Sequence, residues 1–168
     1  MIKRILLIYR IPLFTLVLVL ISLVLFLALD FDDKLFLGAL GVIITLYFGL
    51  IKVQIENDRF FKELFIDFNH RYSLLNETLY DITTSDLKVE DLSFKQKDKV
   101  YDYFNLCAEE YYWYKKNRIN KVVWQSWKNG MFYWFEKDII KEMWQNEMKN
   151  AESKASYYMK SSDNFFHD

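Results

Sequence analysis

Four ionisable side chains in this 168-residue chain have types and spacings that an acid–base or metal site would use. Asp67 and His70 stand three apart, hence on one face of a helix; Glu109 and Glu110 are adjacent within a second helical pattern. Facing helices would bring two carboxylates and an imidazole together from Asp67, His70 and Glu109. A di-metal carboxylate bundle, however, needs a Glu-x-x-His from each of two helices and two further glutamates, and this chain has a single Asp-x-x-His. The expectation for His70 is a surface ion pair or a helix cap, not a metal. The other histidine, His167, lies in a polar tail. Cys107, the only cysteine, falls on the apolar seam of its helix and is expected to be a buried, inert thiol; alone, it excludes a disulfide framework and a Cys-based zinc site. No Gly-x-Ser-x-Gly, phosphate-cradling glycine loop or His-Glu-x-x-His occurs. The sequence thus assigns no catalytic residue, cofactor, metal or small-molecule substrate, and the chain reads as a non-enzyme.

The aromatic residues carry a stronger signal. Tyr101–Phe135 holds thirteen aromatics in thirty-five residues, and one helix face buries only about half of such a run. Tyr111–Tyr114 and Phe132–Phe135 are unbroken, so some rings must point away from their own helix's seam. They can be covered by a second helix, lie at lipid-headgroup level, or form a partner surface. Tyr112, Trp113, Trp124, Tyr133 and Trp134 are the candidates for that surface. Lys115, Lys116, Arg118, Lys121 and Lys128 are interleaved with them, a pattern that can bind single-stranded nucleic acid. Surrounding acids nearly cancel this charge, so no nucleic acid is expected.

The elements that must position these residues begin with two apolar stretches, Ile11–Leu29 and Leu35–Ile51, separated only by Asp30–Lys34. Each is long enough to cross, or nearly cross, a hydrocarbon core of about 30 Å. Fifteen residues of the first are Leu, Ile, Val or Phe, which favours insertion by roughly 5–9 kcal/mol. The first run is too long for a secretory h-region and no small-residue cleavage site follows it. Lys3, Arg4 and Arg10 precede the first span and Lys52, Arg59 and Lys62 follow the second, while the loop holds only Lys34. Both termini are therefore expected on the cytoplasmic side. Gly41, Thr45 and Gly49, with Gly38 a turn earlier, form a small-residue seam for close helix approach, either within the hairpin or between copies; Thr15 and Ser22 would lie on the facing side of the first span.

No Gly or Pro occurs from Leu50 to Gln96, so the second span is expected to continue as a long helix. Phe61, Phe65, Phe68, Tyr72, Leu75 and Leu79 repeat at 4, 3, 4, 3, 4, a seam that is rich in Phe and suits packing within the domain better than a dimeric coiled coil. Asp81–Ser93 reads as a polar connection. Ser93 and Gln96 have the form of a capping box opening a helix near Ser93–Lys116, with Val100, Phe104, Cys107, Tyr111 and Tyr114 as its seam. After a tight turn, a short helix is expected to end at Asn129–Gly130, followed by a last helix carrying Phe132, Phe135, Ile139 and Met143. Beyond Asn150 the chain is polar and expected to fray.

The stretch from Tyr103 to Tyr111, the turn Asn117–Asn120 and Val123–Trp124 resemble bacterial membrane-anchored proteins of the domain-of-unknown-function class DUF4760. The resemblance covers about a third of the chain. It implies a plan, namely an apolar front, a long helix, an aliphatic-acidic helix, a tight turn and another helix, and no chemistry.

The resulting expectation is an all-α chain. Residues 1–53 form a two-helix transmembrane hairpin (spans about 11–29 and 35–53), residues 54–150 a cytoplasmic helical bundle on the helix continuing from the second span, and residues 151–168 a tail. The chain would be a bacterial inner-membrane interaction or regulatory protein whose partners are the lipid bilayer and either a protein or a second copy. The alternative is a membrane effector of toxin or anti-phage type, whose spans assemble and permeabilise the membrane.

Overall fold

The computed structural model describes residues 10–29, 32–149, 151–159 and 165–166. Lys3, Arg4, Asp30 and His167 lie outside the described residues. All regular structure among the described residues is helical: α1 (Arg10–Leu29), α2 (Asp33–Thr84), a 3-10 turn (Val89–Asp91), α3 (Phe94–Lys115), α4 (Lys121–Phe135), α5 (Asp138–Glu147) and α6 (Ala151–Ser156). The chain divides into two compact units, Met1–Phe60 and Phe61–Asp168, and α2 contributes to both.

In the first unit α1 and the front of α2 run antiparallel. Asp32 opens α2 by accepting the Lys34 N–H at 2.9 Å, an N-cap with an acid at the positive helix end. Next to this turn the Phe26 and Phe36 rings stack at 4.5 Å. At the other end Arg10 and Ile11 border a cleft with Leu50 and Val53. The inward face of α1 is Ile11, Thr15, Leu18, Ser22 and Phe26; that of α2 is Phe36, Leu40, Ile43, Tyr47 and Ile51. Thr15 and Ser22 are thus on the facing side, as their spacing predicts. The small-residue seam is not: Gly41, Thr45 and Gly49 are exposed, and a Cβ added at Gly38, Gly41 or Gly49 would meet nothing within 4 Å. Bulkier residues one step around α2 receive α1 instead. The hydroxyls of Thr15 and Thr45 donate to the carbonyls of Ile11 and Gly41, both at 2.9 Å, so neither is left unpaired within an apolar stretch.

The second unit is a helical bundle around a largely aromatic core. α2 supplies Phe68, Leu75, Leu79 and Ile82 to it; the first three belong to the seam read from the sequence, whereas that seam's Phe61 is half-buried and its Phe65 exposed. α3 supplies Val100, Tyr103, Phe104, Cys107 and Tyr111. The seam of α2 is covered from within the unit: Trp127 of α4 packs against both Phe65 and Phe68 at 5.6 Å. Ser93 and Gln96 make the expected reciprocal capping box at the start of α3. α3 ends in a Schellman motif, with the Arg118 N–H on the Trp113 carbonyl and the Asn117 N–H on the Tyr114 carbonyl. Asn117 takes the left-handed position of that motif at φ 55°, which an asparagine tolerates better than most residues. Asn120 then caps α4 by accepting the Val123 N–H at 3.0 Å.

Two boundaries differ from the sequence expectation. α4 does not stop at Asn129–Gly130; it runs through to Phe135 and breaks at Glu136–Lys137. Gly130 has no positive φ to end a helix with, and about 1 kcal/mol of poor helix propensity is outweighed by burying Met131, Trp134 and Phe135 on one continuous face. Nor does the chain beyond Asn150 fray where it is described. Ala151–Ser156 is helical, and Tyr157, Phe165 and Phe166 are core residues. Phe166 stacks on Phe135 at 3.8 Å with ring planes 10° apart and meets Trp144 and Phe104 edge-on. A fully buried Phe stabilises a fold by roughly 1.5–3 kcal/mol, so these two rings are a substantial part of the core.

Candidate functional site

The face of α2 that meets Glu109 carries Arg71, not His70. The Arg71 guanidinium donates to both Glu109 oxygens, at 2.6 and 3.0 Å, in a bidentate pair between α2 and α3. Asp67 joins from one turn earlier at 3.6 Å. His70 is exposed, with its carbonyl accepting from the Ser73 hydroxyl. Among the described residues no three of His, Cys, Asp and Glu converge as a metal site would require. Beside the pair lies an open groove of about 320 Å³, walled by Leu74 and Leu75 on α2 and by Lys99, Asp102 and Asn105 on α3. Lys99 and Asp102 bridge each other there at 2.8 Å. Arg71 was legible as a partner from its i,i+4 offset to Asp67; its reach to Glu109 depends on how α2 and α3 cross.

Among the described residues Glu110 is the charged one that the fold takes inside, 6 % exposed. It borders a cavity of about 60 Å³ with Phe68, Tyr72, Cys107, Trp127 and Met131. Burial pushes its carboxyl up to about 8; the nearby Arg71 cation pulls it down and Glu109 pushes it up. At neutral pH it is therefore mostly a neutral acid. Burial likewise pushes the Cys107 thiol well up, with the charge of Glu110 acting in the same direction, so the thiol is held out of its nucleophilic form. The two phenols nearby are committed: Tyr103 donates to the Met131 carbonyl at 2.6 Å and the Trp134 indole N–H donates to the Tyr72 oxygen at 2.7 Å. Glu110 lies four residues after Leu106 and seven after Tyr103, both buried, so the three share a flank of α3 that the seam read from the sequence did not include.

The candidate contact residues separate into three groups. Trp124 and Trp134 are core residues, each 5 % exposed, and are not available to a partner. Trp124 is stacked on Tyr114 at 4.7 Å and flanked by Tyr111 at 5.8 Å. Tyr112 and Trp113 are half-buried, with Tyr112 against Tyr158 at 5.3 Å. Tyr133 is 56 % exposed.

No protein-family model, no curated protein and no solved structure matches this chain.

Proposed function

We propose that the chain is a membrane-anchored helical protein whose bundle acts in the cytoplasm by binding a partner and not by catalysis. The carrying observation is the apolar surface of α1 and the front of α2. Among their described side chains Ile43 alone is buried, while Leu13, Phe14, Leu16, Val24, Leu27, Leu37, Val42, Phe48 and their neighbours stand open. Both helices are long and apolar enough to cross a bilayer. Soluble monomers rarely expose contiguous apolar patches beyond a few hundred Å², and a helix is one of the two structures that satisfy every backbone group within lipid. The lysine and arginine asymmetry supports a reading in which both termini lie on the cytoplasmic side and the Asp30–Lys34 loop outside. A reporter fused after Asp168 should read as cytoplasmic and one inserted at Asp32 as external; the reverse pattern, or a chain released from membranes by alkaline carbonate, would sink the reading.

The second reading, a membrane effector, is favoured by one observation: the Gly38, Gly41 and Gly49 face of α2 is open to another helix. Growth arrest on overproduction, relieved by Gly41→Leu or Gly49→Leu, would select it over a passive anchor.

A further inference from the structure

The cavity of about 60 Å³ beside Glu110 brings together polar groups with hydrogen-bonding capacity left over. Its inner wall is α3, where Cys107 and Glu110 are buried. Asn69 of α2 is exposed and Trp127 and Gly130 of α4 are half-buried, so its mouth lies between α2 and α4. Among the described residues nothing hydrogen-bonds to the Glu110 carboxyl. Arg71 acts on it through charge alone, because the guanidinium is bonded to Glu109. The Tyr72 oxygen is committed to the Trp134 indole N–H as an acceptor, which leaves the phenol's own proton to give. That oxygen stands 3.8 Å from where a Cβ of residue 130 would be, at the edge of the cavity. Asn69 donates its amide N–H to the Phe65 carbonyl at 2.6 Å, which leaves its oxygen to accept.

A carboxyl buried without a partner is held neutral, and this one is pushed up to about 8. The titratable groups that bear on it are Arg71 and Tyr72 from α2 and Tyr103, Cys107 and Glu109 from α3. α4 lines the cavity with no titratable side chain. A neutral carboxyl presents one O–H donor next to one carbonyl acceptor.

We infer that this cavity binds a small neutral primary carboxamide, a molecule of the size of acetamide. Such a ligand has two lone pairs on its oxygen and two N–H donors on its nitrogen. The O–H groups of Glu110 and Tyr72 match the first, and the carbonyl oxygens of Glu110 and Asn69 match the second. A volume of about 60 Å³ is room for about four non-hydrogen atoms. The Phe68 and Trp127 rings in the wall suit the ligand's methyl group. A cation would have to drive the proton off Glu110 and lie near the Arg71 guanidinium, and an anion would bring an unpaired charge into a buried space. The site is the same whether or not α1 and α2 cross a bilayer.

The test melts the full chain in an uncharged maltoside detergent with acetamide, with N,N-dimethylacetamide or with methylammonium chloride, each against sodium chloride at matched ionic strength. At pH 6 acetamide at about ten times its half-saturating concentration should raise Tm by roughly 5 °C. The dimethyl compound, which has no N–H, and methylammonium should not. The half-saturating concentration, read from the same melts, should rise about tenfold between pH 6 and 9 as Glu110 ionises. Glu110→Gln keeps a donor beside an acceptor and should bind acetamide equally at both pH values. Glu110→Leu should fold, because it buries an apolar side chain in an apolar wall, and should lose the rise. No rise with acetamide, an equal rise with either other probe, a half-saturating concentration that ignores pH, or an undiminished rise in Glu110→Leu overturns the site.

Discussion

The Trp134 indole N–H donates to the phenolic oxygen of Tyr72 at 2.7 Å, tying α4 to α2 across 62 residues of sequence. Trp134 is buried while its neighbour Tyr133 points outward. Trp134→Ala should accordingly cost about 3–5 kcal/mol, through lost burial and an abandoned hydrogen bond. Tyr133→Ala should cost about 0.5 kcal/mol or less. Thermal or urea melts of the full chain carrying each variant check this, and similar losses for the two would contradict the assignment of inside and outside. If Tyr133 belongs to a partner surface, its variant alone loses binding while keeping its melting point.

Stability should fall with rising pH. The Glu110 carboxyl goes from an ordinary value of 4.5 to about 8 on folding. The folded state therefore holds the proton more tightly than the unfolded chain does. That contribution is fully present below the unfolded pKa and is lost as pH rises through the folded one. Between pH 6 and 9 the loss should be roughly 2–3 kcal/mol, and Glu110→Gln, which stays neutral, should flatten the profile. Arg71→Gln should steepen it, because the guanidinium pulls the carboxyl down. A wild-type profile as flat as that of the Gln variant would mean that Glu110 is not the titrating group.

Gly130 sits inside α4, where glycine is a poor choice. A Cβ at this position would meet the Tyr72 hydroxyl at 3.8 Å, an ordinary contact. Gly130→Ala should stabilise the bundle by about 0.5–1 kcal/mol, read as a higher denaturation midpoint with an unchanged slope. A lower midpoint would show that the approach of Tyr72 needs the glycine.

Local signals in the sequence carried over where the local cause is also the structural one. The Ser93–Gln96 box caps α3, the 4, 3 repeat of α2 chooses Phe68, Leu75 and Leu79 for the core, and the seam position of Cys107 buries it. Signals that depend on a partner from elsewhere in the chain did not. In Phe132–Phe135 all four rings are apolar, and only the crossing of α4 over α2 and α3 decides that Trp134 goes in and Tyr133 out. Asn129–Gly130 has the composition of a helix end, yet the core on either side carries the helix through it. The His70 and Glu109 constellation had the right residue types; the register of α2 against α3 offers Arg71 to Glu109 instead. In the spans, the glycine stripe marks a face on which side chains are small, and the bulkier adjacent face proved to be the one that meets α1.

The burial of Phe165 and Phe166 sets the order in which the bundle can be made. Phe166 closes the core by packing on Phe104 of α3 and Phe135 of α4, residues far upstream. A ribosome delivers the chain from its N-terminus, so the apolar helices and α3 to α5 emerge first and wait, with Phe104, Phe135 and Trp144 uncapped. Closing so long a loop has an entropic cost that is met only when the final contact forms. Completion of the fold is thus a late event, and until it happens the exposed rings are a target for chaperones and proteases. The same geometry makes Phe165 and Phe166 a latch: replacing both with Ala would return the finished bundle to that unguarded state.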